Sequence, residues 1–431
     1  MPTNKDTFFI MSPKVFEMEP VVECYFQLGD WIFCERFEFN DYEEYWLKSN
    51  IEDLAKTLSI CAGTSYYKIA ASERIEVEFE ITGSQHELLK GLYDEGLREF
   101  AFQNTLPIPR KFEVQYKLAE SEQKQSSVDL GNQVLPLGGG KDSAVTAMLF
   151  PQAHIFSINP SKPMFDVVKV VGKKLYSVNR KIDPQVFKLN EAGALNGHVP
   201  VTAIVSVVAC IVAKILGGGD VLMSNERSAS ESTRQMIVEG QVLEINHQYS
   251  KSFEAEKLIF EAVKKDVGYY SVLRPLSELA IAKILSTNLE LTRNILSCNN
   301  AFKVYKERKT RWCGDCPKCF FTFLILATFL TPNDLIDVFG KNLLADADNY
   351  FAFEELIDST KKPFECVGEV NECKAAVLKL ASSTEWEELE LIQRLAKNIE
   401  GEFVVSEYFE TSSEHNLPEQ YFEIIKKALK F

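Results

Sequence analysis

Nothing in this chain constrains its fold more than the run from Gln133 to Phe150, QVLPL-GGGKDS-AVTAMLF. An apolar strand, a glycine turn and an apolar helix in immediate succession form the opening unit of a parallel α/β sheet. Gly138, Gly139 and Gly140 let the backbone turn sharply and bring its N–H groups close to an anion. The helix that opens at Lys141, Asp142 and Ser143 turns its positive end toward the same point. Lys141 adds a cation and Ser143 a hydroxyl donor. The spacing is not that of G-x-x-x-x-G-K-[ST], so the loop is not of the Walker type.

The same alternation continues downstream. HIFSIN, KLYSV, DVLMSN and YSVLRPL read as further strands, and ELAIAKIL reads as a helix. An α/β domain over residues 126–335 is therefore expected. Residues 1–125 carry alternating, aromatic-rich runs such as VVECYFQLGDWIFCERFEF and IEVEFEITG, with helical stretches between them, and read as an α+β domain. Ser121–Ser127 reads as a polar linker. Residues 336–431, with EWEELELIQRLAKNI and YFEIIKKAL, read as a helical region without catalytic spacing. The apolar stretch Val199–Leu216 contains Pro200 and Lys214 and lacks an aromatic belt. It reads as a buried core helix, since a membrane span needs about 20 mostly apolar residues.

The 62 acidic residues outnumber the 47 basic ones, giving a net charge of −15. Such a chain repels phosphate backbones, so neither nucleic acid nor a membrane is an expected partner. The first twenty residues have no apolar run of signal-peptide length, so a cytoplasmic location is expected. The ten cysteines then read as thiols or metal ligands rather than disulfides. Four of them, Cys298, Cys313, Cys316 and Cys319, have the spacing of a closed tetrahedral zinc site, with an iron–sulfur cluster as the alternative. Ser224–Ser252, dense in polar residues, follows a strand at the carboxyl edge where open sheets place ligands, and reads as a ligand wall.

The GGGKDS loop resembles the SGGxDS loop of the PP-loop ATP pyrophosphatases, with Gly138 standing where that pattern usually has Ser. That resemblance implies cleavage of ATP between its α and β phosphates. Ser297-Cys298 with CGDCPKC, and RPLSELAIAKIL, are similar to segments of the 7-cyano-7-deazaguanine synthases. GGGKDS, SNERSAS, NHQYSKS and WCGDCPKC in this order, with FECVGEVNECKAAV from Phe364 to Val377, resemble the UDP-N-acetyl-α-D-muramoyl-L-alanyl-L-glutamate epimerase (MurL) family over nearly the whole chain.

The resemblance implies an isomerase of peptidoglycan precursor synthesis. It would use ATP and Mg²⁺ to adenylate the terminal L-Glu of a nucleotide-linked muramoyl dipeptide, invert it to D-Glu, and release AMP and pyrophosphate. By the same resemblance, Gly138, Gly139, Gly140, Lys141, Asp142 and Ser143 hold the pyrophosphate, with Asp142 orienting Mg²⁺. Asn225, Glu226, Arg227, Asn246, His247 and Lys251 line adenylate and substrate. His247 is the first candidate for proton transfer, its pKa lying near the working range, with Glu226 and Glu231 as alternatives. Two other readings stand beside this one: a deazaguanine-type amide or nitrile synthase, and a non-catalytic nucleotide-binding module.

Overall fold

The structure, a computed structural model, describes residues 6–46, 50–119, 132–298, 300 and 311–430. The segment read as a linker, Ser121–Ser127, lies outside the described residues. The strands of the first half are β1 (Thr7–Ile10), β2 (Lys14–Val15), β3 (Val21–Leu28), β4 (Trp31–Glu38), β5 (Arg74–Ile81) and β6 (Glu113–Leu118). Those that follow are β7 (Val134–Pro136), β8 (His154–Ile158), β9 (Tyr176–Lys181), β10 (Asp220–Met223), β11 (Arg234–Val238), β12 (Gln241–Ile245) and β13 (Gly268–Ser271).

Among the described residues, eleven strands form one mixed sheet in the order β13-β10-β7-β8-β9-β4-β3-β1-β5-β6, with β2 beside β3. From β13 to β9 all neighbours are parallel. β7, β10 and β13 are buried along their whole length because both faces are covered, whereas β9, YSVNRK, is only partly buried. Val134 of β7, Phe156 of β8 and Val221 of β10 enter one core with the helix Val201–Ile215, while Leu135, Ile155 and Leu222 beside them enter the other. That is the two-residue period of a strand feeding two cores at once.

Helix Val201–Ile215 is the apolar stretch singled out in the sequence, and it packs within the first core. Among the described residues no helix is long and apolar enough to cross a membrane. The parallel half does not stand apart from the N-terminal strands. β9 pairs antiparallel with β4, Phe37 opposite Arg180, and the buried Glu35 receives Arg180 Nε at 2.5 Å across the same seam.

Chain order around β7 fixes where a ligand can enter. The chain runs from β7 outward through β8 to β9, then crosses to the other side of β7 to lay down β10 and β13. The loops after β7 and β10 therefore diverge and leave a crevice at the carboxyl edge, the topological switch point of an open α/β sheet.

The polar stretch 224–252 holds more order than its composition suggests. β11 and β12 form a hairpin outside the main sheet, Val238 opposite Gln241. Glu239 and Gly240 both have positive φ, as a two-residue turn of this hand requires. In the C-terminal region EWEELELIQRLAKNI is helical only over Glu390–Ala396, whereas YFEIIKKAL is helical in all but its last residue, Leu429, within the helix Glu419–Ala428.

Candidate active site

A cleft of about 370 Å³ opens at the switch point. Of the residues expected there, Gly138, Gly140, Asp142, Ser143, Asn225 and Lys251 line it. The turn is locked by its own backbone: the Gly138 N–H donates to Ser143 Oγ at 3.2 Å, and the Leu296 N–H to the Gly139 carbonyl at 2.8 Å. Gly139 has φ +78°, and a Cβ on Gly140 would lie 2.7 Å from Ser297 Oγ. Both positions thus require glycine, one for its dihedral and one for space. Gly138 does not, because a Cβ there would meet nothing within 4 Å.

Lys141 opens the helix Lys141–Leu149 but is buried, paired with Asp142 and with Glu278. Burial alone would lower its pKa; the Asp142, Glu278 and Glu226 carboxylates outweigh that and raise it, so it stays charged. Glu226 is buried just behind the cleft. Burial pushes its carboxyl up, but the Lys251, Lys141 and Arg274 charges and a backbone hydrogen bond bring it below the usual range.

Glu278 caps the opposite trend. Burial pushes it up to about 8; Lys141 opposes this, and the Asp142, Glu226 and Glu372 carboxylates reinforce it. Three acids crowd one lysine, and Glu278 is the one whose carboxyl is raised most clearly above the usual range. The buried Arg274 fixes the floor of the site, donating to Glu256 at 3.0 Å and to the Glu226 carbonyl at 2.6 Å.

Other expected residues face elsewhere. Arg227 turns toward the C-terminal helices, bonding Glu369 at 2.9 Å and reaching Glu372 at 3.6 Å. Asn246 bonds the Ala229 carbonyl and the Gln248 N–H, shaping the turn before Lys251. Glu231 pairs with Lys362. His247 sits against Glu99, Nδ1 to Oε2 at 2.5 Å, with the His198 ring 4.4 Å away. Burial lowers the pKa of His247, but hydrogen bonds to Cys366 and Glu99 outweigh it and carry the pKa up to about 9.

The four cysteines come together as their spacing predicts. Sγ of Cys316 lies 3.5 Å from that of Cys319 and 3.9 Å from that of Cys298, and Cys313 lies 3.6 Å from Cys319. They form a group that could hold a metal ion. The knuckle also reaches the cleft: Ser297, beside Cys298, accepts from the Lys141 N–H at 3.4 Å, and Lys318 lines the cavity. Sequence reasoning missed Glu278, Lys318, Glu99 and Cys366. For Lys318 the signal was its place inside CPKC; Glu278 was visible as the first residue of a helix beginning after a strand. Glu99 and Cys366 gave none.

Two family profiles match almost end to end: the MurL N-terminal domain over residues 1–272 and the MurL C-terminal domain over residues 294–408. Three relatives share the name UDP-N-acetyl-alpha-D-muramoyl-L-alanyl-L-glutamate epimerase. The chain is 36% identical to that of a Micromonospora species, over 84% of this chain and 83% of the relative. It is 34% identical to that of Xanthomonas oryzae pv. oryzae, over 87% and 86%. It is 39% identical to that of Salinispora tropica, over 78% and 75%. No solved structure matches it significantly. Both profiles take in the cleft's own segments, the glycine turn in the first and the cysteine knuckle in the second, and the chain therefore belongs to the MurL family.

Proposed function

We propose that the protein inverts the terminal L-Glu of UDP-MurNAc-L-Ala-L-Glu to D-Glu through an acyl-adenylate, releasing AMP and pyrophosphate. The observation that carries this reading is the glycine turn placed at the sheet's switch point with Lys141 behind it and Lys251 and Lys318 across the cleft. Backbone N–H groups at a helix N-terminus and three lysines make a site for a polyanion. Ile158, Met164, Val205 and Met223 supply an apolar wall for a nucleobase.

The chemistry needs ATP for a physical reason. Removing the α-hydrogen beside a free carboxylate places two negative charges on neighbouring atoms. Adenylation removes the carboxylate charge and allows an enolate, which a general acid and base can then invert. Lys141 and Lys251 balance charge on the phosphates, Lys141 from its place among Asp142 and Glu278. Asp142, at the cleft, is the carboxylate suited to hold Mg²⁺, which shields phosphate charge when bound. His247 is the proton-transfer group in this reading. His247→Ala should suppress deuterium exchange at the glutamate α-carbon at least tenfold more than it suppresses pyrophosphate formation.

The thiol group fits a single zinc ion. Four thiolates about 2.3 Å from a tetrahedral ion stand about 3.8 Å apart, and the observed separations are 3.5, 3.6 and 3.9 Å. An iron–sulfur cluster spreads its thiolates over several irons and needs a wider cage. With all four positions taken by protein, the ion would be structural.

Nucleotide products test the reading directly. Chromatography after turnover should give AMP and pyrophosphate, whereas ADP and phosphate as main products would sink it. Glycine variants test the loop. Gly138→Ser should leave the melting temperature unchanged and preserve nucleotide binding, since its Cβ has open space. Gly140→Ala must displace Ser297 and should cost about 1–3 kcal/mol of stability, with weakened ATP binding. Equal tolerance at the two positions in thermal melts would contradict the loop geometry.

A further inference from the structure

Away from the cysteine knuckle, three metal-ligating side chains converge from distant parts of the chain. Glu99 comes from the helix Arg98–Gln103, His198 from the segment just before the core helix Val201–Ile215, and His247 from the turn after β12. One donor atom from each lies within 4.8 Å of the other two. His247 Nδ1 stands 2.5 Å from Glu99 Oε2, and the His198 and His247 rings are 4.4 Å apart at an interplanar angle of 42°.

Their surroundings hold them there. Gln103 Nε2 donates to Glu99 Oε1 at 2.9 Å, which fixes the carboxylate while its other oxygen meets His247. The backbone N–H of His247 donates to Thr233 Oγ1 at 3.1 Å. The loop before His198 lies directly on the helix of Glu99: Asn104 Nδ2 donates to the Asn196 carbonyl at 2.9 Å, and a Cβ on Gly197 would stand 3.1 Å from Phe100 Cδ2. Outer partners of this kind orient the ligands of a metal. A hydrogen bond between His247 and Glu99 needs no second imidazole beside it, and among the described residues no hydrogen bond engages the His198 ring.

Two imidazoles and one carboxylate suit a divalent transition ion such as Zn²⁺ or Co²⁺, whereas Mg²⁺ and Ca²⁺ favour shells of oxygen alone. Donors about 2.0–2.2 Å from such an ion stand about 3 Å apart, so the His247–Glu99 contact opens by about half an ångström to admit it. Three protein donors leave a position for water.

We propose that Glu99, His198 and His247 form a second metal site, taking a zinc-class divalent ion, and that its occupation stops proton transfer at His247. The second half of the proposal rests on the role given to His247 above. With Glu99 holding the Nδ1 hydrogen, the Nε2 lone pair of the neutral ring is left to accept a proton. An ion on Nδ1 requires the ring's one hydrogen on Nε2: the neutral ring moves it there, and the charged ring loses one proton to solvent. Either way no lone pair remains for a substrate proton. The glycine turn and Lys141 give the ion no ligand, so adenylation is spared.

The probe is Zn²⁺ alone, titrated into protein whose knuckle is already loaded. Calorimetry should find one further ion per chain, lost in Glu99→Gln and in His198→Ala. Co²⁺ at that site in the wild type, which needs no substitution, should give d–d absorption without added thiolate charge transfer. With ATP, excess Mg²⁺ and UDP-MurNAc-L-Ala-L-Glu in D₂O, saturating Zn²⁺ should cut deuterium exchange at the glutamate α-carbon at least about tenfold and leave pyrophosphate formation in place.

No further ion, binding unchanged in both variants, or a growing thiolate band would each overturn the site. An ion bound through these residues that leaves exchange intact would overturn the switch. Exchange retained in His247→Ala as well would trace that failure to the role of His247; exchange lost in His247→Ala would trace it to the switch itself.

Discussion

Replacing Cys316 with serine is expected to unfold the second half of the molecule rather than merely slow the enzyme. Cys316 caps the helix Pro317–Ala327, whose residues from Cys319 to Ala327 are all buried. That helix is a central piece of the core it shares with Leu135, Ile155 and Leu222. A structural zinc contributes about 10–16 kcal/mol of apparent binding energy, comparable to the whole stability of a domain of about 5–15 kcal/mol. Cys316→Ser, or a strong chelator on the wild type, should therefore give aggregated or poorly soluble protein. Elemental analysis should find one zinc per chain. Where protein survives, nucleotide binding should fail too, because Ser297 and Lys318 hang from the same knuckle. Metal-free protein with an unchanged melting temperature and intact ATP binding would contradict this account of the four thiols.

The second large effect belongs to Lys141→Ala. In the folded protein this cation is buried among Asp142, Glu278 and Glu226. Its removal leaves uncompensated buried charge, which costs about 3–5 kcal/mol. The double variant Lys141→Ala, Glu278→Gln should recover part of that stability, since one of the crowded acids is gone. Neither variant should recover activity. Removing one preorganised charge at a transition state costs about 10²–10³-fold, and AMP and pyrophosphate formation should fall at least that far in both. Thermal melts and product assays together read this out. Stability unaffected by Lys141→Ala would mean the carboxylates do not depend on it.

A pH dependence follows from the opposite shifts of His247 and Cys366. The pKa of His247 is raised, so the stability it lends is present at low pH and lost as pH rises through about 9. The pKa of Cys366 is lowered, so its share is present at high pH and lost as pH falls through about 6. Both shifts are fully expressed between these limits. The wild type should be more stable relative to Cys366→Ala at pH 7.5 than at pH 5 or pH 10. A stability difference flat across that range would argue against a thiolate–imidazolium pair.

Local chemistry explains what the sequence made legible. GGGKDS between an apolar strand and an apolar helix specifies its turn through neighbours in the chain, and the fold places it at the switch point. CGDCPKC likewise brings three of its four thiols together by spacing alone. The apolar stretch around Ala209 read as a buried helix because its charge content and length suited nothing else. Long-range pairing stayed hidden. His247 meets Glu99 across 148 residues, and neither side chain advertises the other. Arg227 and Asn246 sat in a run of polar residues that composition could not divide into cleft and scaffold. The β11–β12 hairpin was obscured because its turn uses Glu239-Gly240 in place of the commoner Asn-Gly. The seam of β4 with β9 joins two stretches that the sequence treats as separate, through a pairing register no local pattern encodes.

One measurement bears on the central claim more directly than any variant. The wild type is incubated in D₂O with ATP, Mg²⁺ and UDP-MurNAc-L-Ala-L-Glu, and the hydrolysed product is resolved by chiral chromatography and mass spectrometry. The account predicts D-Glu carrying deuterium at its α-carbon, formed together with AMP and pyrophosphate. Unlabelled L-Glu recovered while ATP is consumed would contradict it.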